Sequence, residues 1–148
     1  MKMFELRPAV PEDLSFARDL TCRNMLPYYI KHDLLWQDEA FDVAWAGRDN
    51  QMILSNGVLA GFFSLSRDAR ALYIRELQID QGFQRVGAGS WAIDQVIAIT
   101  QRERRPALRL TVFENNPARN LYERKGLAVV GKDECFLRMQ RDISTHVL

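Results

Sequence analysis

The sequence predicts an α/β fold: a single domain over residues 1–148, with a mixed sheet of about seven strands and about four helices. Three observations carry that expectation. Strand-like and helix-like runs follow in the order β-α-α-β-β-β-α-β-α-β-β. A long apolar-periodic run over residues 87–104 lies between two strand-like runs, the arrangement of a parallel crossover, expected to be right-handed. A chain of 148 residues is one domain's worth and buries a real core.

Residues 3–8 form the first expected strand, with Phe4 and Leu6 on one face. Pro11 suits a first helical position, and Glu12 and Asp13 complement the helix dipole, although Val10 is a poor N-cap. Leu14, Ala17, Leu20 and Thr21 or Cys22 keep the helical period until Pro27 ends or kinks the helix. An aromatic connection through Tyr28, Tyr29 and Trp36 leads to a second helix over 38–46, carrying Phe41 and Trp45. Residues 51–54 and 58–65 read as a hairpin turning at Ser55, Asn56 and Gly57, because Asn-Gly accepts the positive φ angles of a tight turn.

A second turn over 66–70 enters the central strand, which holds Leu72, Tyr73, Ile74, Leu77 and Ile79. Leu72 and Ile74 share one parity, Leu77 and Ile79 the other, so a β-bulge is expected near Arg75 and Glu76. The long helix should bury Trp91, Ile93, Val96 and Ile97, with Arg102, Arg104 and Arg105 at its negative end and Pro106 stopping it. A strand over 107–113 puts Leu108, Leu110 and Val112 on one face. Asn116 as N-cap, Pro117 as first residue and Gly126 as stop bracket a short helix whose Ala118, Leu121 and Tyr122 share a face. Strands over 127–130 and 134–139 then flank a charged turn at Gly131, Lys132 and Asp133.

Composition narrows the function classes. With 47% hydrophobic and 26% charged residues the chain is globular, and a net charge of +1 gives no broad positive field for nucleic acid or an anionic membrane. Any anion site must be local. Cys22 and Cys135 lack paired spacing, and His32 and His146 lie far apart, so no metal site is expected and the cysteines read as thiols of a cytoplasmic protein. Lys2, Glu5 and Arg7 interrupt the N-terminal apolar run, so no signal peptide is expected, and no run is long and apolar enough to span a bilayer.

The chemistry concentrates after the central strand, in Gln84, Arg85, Val86, Gly87, Ala88, Gly89 and Ser90. Glycines at a helix start let a ligand approach the backbone, where unpaired N–H groups and the positive dipole end make an anion site. Three motifs compete. A P-loop needs Lys and Ser or Thr after its second glycine, but Ala88 and Gly89 follow Gly87. A dinucleotide fingerprint is matched formally from Gly87 to Ala92, yet seven residues separate its glycines from the strand, and only one complete βαβ crossover is available. An acyl-CoA pyrophosphate loop, Gln/Arg-x-x-Gly-x-Gly/Ala, is met at Gln84, Gly87 and Gly89.

A second run, from Asn115 through Ala118, Leu121, Tyr122 and Glu123 to Gly126, stands one long helix and one strand further on. Together the two runs resemble the GNAT superfamily, the Gcn5-related N-acetyltransferases, over most of residues 3–141. Gln81 departs from the pattern, since many members carry proline there, and residues 21–46 match loosely. The resemblance implies a mostly antiparallel sheet whose central parallel pair splays, with acetyl-CoA as co-substrate and no metal. It places the pantetheine arm along backbone near Leu77, Gln78 and Ile79, and the pyrophosphate on the loop from Gln84 to Ser90; Arg85 and Arg119 are candidate phosphate contacts from their charge. It also implies an arm contact at Asn115 and a general acid at Tyr122.

Such transfer needs a neutral amine, and a carboxylate can take the ammonium proton; Glu76 is the candidate base. Each residue also has a plainer reading. Gly87 and Gly89 would permit tight packing, and Tyr122 would fill a core position at helical spacing. Glu76 would be a strand carboxylate, Asn115 a turn residue, and Arg85 and Arg119 solvated cations. Tyr28, Tyr29 and Trp36 either line an acceptor pocket whose faces favour a cationic amine or pack a helix junction. Two function classes stay open: an N-acetyltransferase acting on a small-molecule or protein amine, and a non-catalytic acyl-CoA-binding module. A homodimer is left open.

Overall fold

The computed structural model describes residues 3–143; Lys2 and His146 lie outside them. The described strands are β1 (Phe4–Pro8), β2 (Asp49–Ser55), β3 (Val58–Arg67), β4 (Ala71–Ile79), β5 (Ala107–Phe113), β6 (Ala128–Asp133) and β7 (Phe136–Asp142). The helices are α1 (Leu14–Lys31), α2 (Asp38–Ala46), α3 (Ala88–Arg102) and α4 (Ala118–Arg124). Elements follow in the expected order, and the strands form one mixed sheet in the order β1-β2-β3-β4-β5-β7-β6. β4 and β5 run parallel, joined by α3, while β1 with β2, β5 with β7 and β6 with β7 are antiparallel.

The chain divides into two compact units: the described residues up to Ser64 with Glu76–Ala88, and Leu65–Arg75 with the described residues from Gly89 onward. β4 therefore gives its first half to the second unit and residues 76–79 to the first.

In the first unit, Ala17, Leu20, Phe41, Met52 and Phe62 make a buried cluster, with Leu14, Phe16, Trp36 and Trp45 packed against it. Chain entry to α1 is better secured than Val10 suggests. Asp13 reaches back to accept from the Val10 N–H at 2.8 Å, half of a capping box, and takes a two-pronged ion pair from Arg7 at 2.7 and 3.0 Å. A 3-10 turn over Pro11–Asp13 precedes the helix proper. Pro27 does not end α1, which continues for another turn to Lys31. The lost proline N–H removes one rung, but Leu34 N–H donates to Tyr29 O at 2.8 Å and His32 N–H to Tyr28 O at 3.1 Å, closing the helix further on. The hairpin turns where expected, with Asn56 and Gly57 at φ of 51° and 83°.

In the second unit, α3 buries Ala92, Ile93, Val96, Ile97 and Thr100, one face of a 3.6-residue period, while Trp91 is only half-buried. β5 buries Leu108, Leu110 and Val112 as expected. Asn116 Oδ1 accepts from the Ala118 N–H at 2.9 Å, capping α4, and Gly126 leaves it at a φ of 88°. The expected turn at Gly131, Lys132 and Asp133 is displaced: these residues belong to β6, and the chain turns at Glu134 and Cys135. A Cβ at Gly131 would overlap only the end of the flexible Arg138 side chain, and the β6–β7 register shifts between Val129 and Gly131. Glu134 takes the positive φ, 55°.

Along β4, Ala71, Leu72, Ile74 and Gln78 are buried, Arg75 is exposed, and Glu76 and Leu77 are both half-buried, as are Tyr73 and Ile79. The parallel ladder with β5 runs from Ala71 to Ile74. Asp68 N–H donates to Ala71 O at 3.1 Å and Asp80 N–H to Ala60 O at 2.8 Å, so β4 spends nine residues where β3 spends eight. One extra residue therefore lies in β4 between these bonds, which agrees with the expected bulge.

Candidate active site

The first unit holds Glu76, Gln78, Tyr29 and the glycine-containing loop. Glu76 is half-buried, and burial pushes its carboxyl pKa above the ordinary value; the Gln78 hydrogen bond and the Arg48 charge oppose that shift without cancelling it. Gln78 Nε2 donates to Glu76 Oε1 at 3.0 Å, and Gln78 Oε1 accepts from Asn24 Nδ2 at 3.1 Å. Tyr29 is also pushed up, first by burial and then by the nearby charge of Glu76, so the two share one environment. Asn24 was not legible as a site residue. Its signal was a polar side chain at the period of Ala17, Leu20 and Thr21, on a face that turns inward.

The loop from Asp80 carries a 3-10 turn at Gln81–Phe83, with Asp80 Oδ1 accepting from the Gly82 N–H at 3.2 Å. Arg85 and Gly87 both have positive φ, 64° and 92°. A Cβ at Gly87 would meet nothing within 4 Å, so the glycine answers a backbone requirement on an open face. Gln84 turns its amide back, Nε2 donating to Ile79 O at 3.0 Å, and Asn24 Nδ2 donates to that same carbonyl at 3.1 Å. Both lone pairs of Ile79 O are thereby engaged, and a ligand amide would have to displace one donor to pair there. Val86 and Leu77 are partly buried.

Tyr28, Tyr29 and Trp36 do not make one open wall. Trp36 packs on the core, 5.9 Å from Phe41 between ring centroids, with its Nε1 donating to Asp38 Oδ1 at 2.8 Å. Tyr29 sets its edge against Trp36 at 5.5 Å. Tyr28 is half-buried at the end of α1. Elsewhere in this unit an open cleft of about 520 Å³ is lined by Pro8, Val10, Leu14, Trp45, Arg48 and Asn50 among others, and none of the expected site residues lines it.

In the second unit, Tyr122 is 7% exposed on α4. Asn115 is exposed, before the capping Asn116. Arg119 donates to Glu123 at 3.0 Å, an ordinary i,i+4 pair, and Ser90 is half-buried on α3. Gly89 differs from Gly87: a Cβ there would lie 3.2 Å from Leu121 Cδ2, so this glycine lets α3 approach α4, which Lys125 also ties to Asp94 at 2.9 Å. Ala88 is buried. Among the described residues no group of three or more His, Cys, Asp or Glu could hold a metal ion, and no helix is long and apolar enough to cross a membrane.

Comparison with known proteins follows from this geometry. The family model described as the acetyltransferase (GNAT) family matches residues 15–127. No curated protein sequence matches the chain. Among solved structures, the ribosomal-protein-S18-alanine N-acetyltransferase from Escherichia coli is similar with a TM-score of 0.78 at 20% identity, over 98% of this chain and 97% of that one. The PaiA N-acetyltransferase from Thermoplasma acidophilum, in complex with coenzyme A, gives 0.76 at 16% identity over 95% and 99%. Ard1 from Thermoplasma volcanium gives 0.75 at 18% over 95% and 98%.

Proposed function

Because this chain belongs to the acetyltransferase (GNAT) family and is an acyltransferase, we propose that it moves an acetyl group from acetyl-CoA directly to an amine of a small molecule or a protein. The whole chain acts as one domain in this reading, in the cytoplasm, with Cys22 and Cys135 as free thiols. Acetyl-CoA brings an activated thioester carbonyl. The residues fit such a guest: positive φ at Arg85 and Gly87, an open face at Gly87, and the N-terminal N–H groups of the 15-residue helix α3 suit a pyrophosphate. Backbone near Leu77 and Gln78, with Asn115, holds the pantetheine arm.

The observation that carries the reading is Glu76. An alkyl amine is an ammonium near neutral pH and must lose its proton before it attacks. A carboxylate whose pKa is raised by burial is better matched to that task than a solvated one. Glu76 takes the proton, Tyr122 returns one to the departing thiolate, and Tyr28 and Tyr29 face the acceptor while Trp36 braces Tyr29 from the core. The test is thiol release from acetyl-CoA across a panel of amines, for the wild type and Glu76→Gln. Release with at least one amine, lost in the variant, is expected. Undiminished release in Glu76→Gln removes the base, and no acetyl-CoA binding removes the co-substrate.

A further inference from the structure

Glu76, Gln78 and Asn24 form a chain of side chains whose polarity is fixed at one end. Ile79 O is a backbone carbonyl and only accepts, so the Asn24 atom 3.1 Å from it is the amide nitrogen. That same nitrogen lies 3.1 Å from a terminal atom of Gln78, which must therefore be the oxygen. The Gln78 nitrogen is left facing Glu76 Oε1 at 3.0 Å. Nothing in this sequence of donors can be reversed without setting two donors or two acceptors against each other. Gln78 is also 7% exposed, so water cannot readily replace a lost partner.

We propose that Asn24 and Gln78 are positioning residues for Glu76: a one-way hydrogen-bond chain anchored on Ile79 O holds a donor against the carboxylate and keeps it oriented and ionised. The catalytic part of this rests on Glu76 being the base proposed above; the chain of donors stands without it. Burial drives Glu76 towards its neutral form, and the groups that face it are Arg48, which favours the anion, and Tyr29, neutral and itself raised by Glu76. The Gln78 donor is thus the uncharged contribution that keeps a desolvated carboxylate usable as a base. Asn24, which touches neither the acceptor of the proton nor the amine in this scheme, acts through Gln78.

The experiment is a 13C NMR titration of the Glu76 side-chain carboxyl in the full chain, for the wild type, Gln78→Met and Asn24→Ala, with thermal unfolding of each. Methionine keeps the volume of glutamine and removes the donor. In Gln78→Met the Glu76 midpoint should rise by about one pH unit, the equivalent of one hydrogen bond to a charged group. Asn24→Ala, on the part-exposed face of α1, should shift it less in the same direction, and the acidic limb of kcat/KM for acetyl-CoA turnover should follow. A structural role alone would lower the unfolding temperature and leave the midpoint in place. An unmoved midpoint in either folded variant overturns the proposal. A moved midpoint together with undiminished turnover in Glu76→Gln upholds the hydrogen-bond chain and overturns only the base.

Discussion

Two glutamates in this chain carry the same carboxyl and are driven in opposite directions. Glu103, at the end of α3 in the second unit, accepts from Arg67 at 2.8 and 2.9 Å and from Arg105 at 2.8 Å, and its pKa is held down to about 2. Glu76, in the first unit, has a neutral amide as its hydrogen-bond partner, and burial holds its pKa up. One is clamped by charge at the rim and is a fastening, tying the end of α3 to Arg67 at the end of β3, beside Asp68 O, to which Arg105 donates. The other is starved of solvent and given just enough support to ionise. Proteins that separate the titration of like groups in this way divide structural from chemical labour among them.

The largest effect that would break this contrast is on Glu76. Glu76→Gln keeps the shape and the Gln78 contact but cannot take a proton, so kcat should fall by ~10²–10⁴ with unfolding unchanged, measured by thiol release at saturating acetyl-CoA and amine. Glu103→Gln should leave that turnover alone. Tyr122→Phe comes next. If its hydroxyl protonates the thiolate, kcat drops by ~10² or less, because a thiolate is a tolerable leaving group, while acetyl-CoA affinity stays. A core role alone would instead cost ~0.5–1.5 kcal/mol of stability and no turnover.

Asp13→Ala tests a third carboxylate, also depressed, chiefly by Arg7, but buried. It loses an ion pair and a cap together and should cost about 2 kcal/mol in denaturant unfolding. The smallest effect is the stability that Glu103 itself supplies. A depressed pKa stabilises the fold above the unfolded value, near 4.5, and that contribution is lost as pH falls towards about 2. Discounted for its solvent exposure, Glu103→Gln should cost about 1 kcal/mol at pH 7, with the gap to wild type closing on acidification.

The element order, the Asn-Gly hairpin, α2, β5 and the capped α4 were legible because each is declared locally, by period, turn residue or cap. What was less legible depends on contacts that no local period or turn residue declares. Pro27 reads as an end or a kink; it is not an end, and Leu34 N–H on Tyr29 O closes α1 beyond it. Gly131 reads as a turn residue, whereas it lies inside β6 beside the register shift, and the chain turns at Glu134 and Cys135. Of the candidate site, the loop glycines were visible as a pair but not as two different devices: Gly87 answers a backbone angle, Gly89 a neighbouring leucine. A Gly89→Val variant would press on Leu121, whereas Gly87→Ala would strain the loop backbone itself. Asn24 could be found only by asking why an amide sits on the inward face of a helix.

The register shift in β6 has a colloidal consequence. β6 is an outer strand of the sheet, its Val129 and Val130 are 39% and 56% exposed, and an unprotected apolar edge is where chains add to one another strand by strand. The shift falls between Val129 and Gly131, and beyond it stand Lys132 and Asp133. An incoming strand would find only about three residues of regular edge before the ladder breaks and charge begins, too short a template for growth. The other outer strand, β1, ends in Pro8, which offers no donor. Concentrated solutions of this protein should therefore stay free of sheet-extended aggregates.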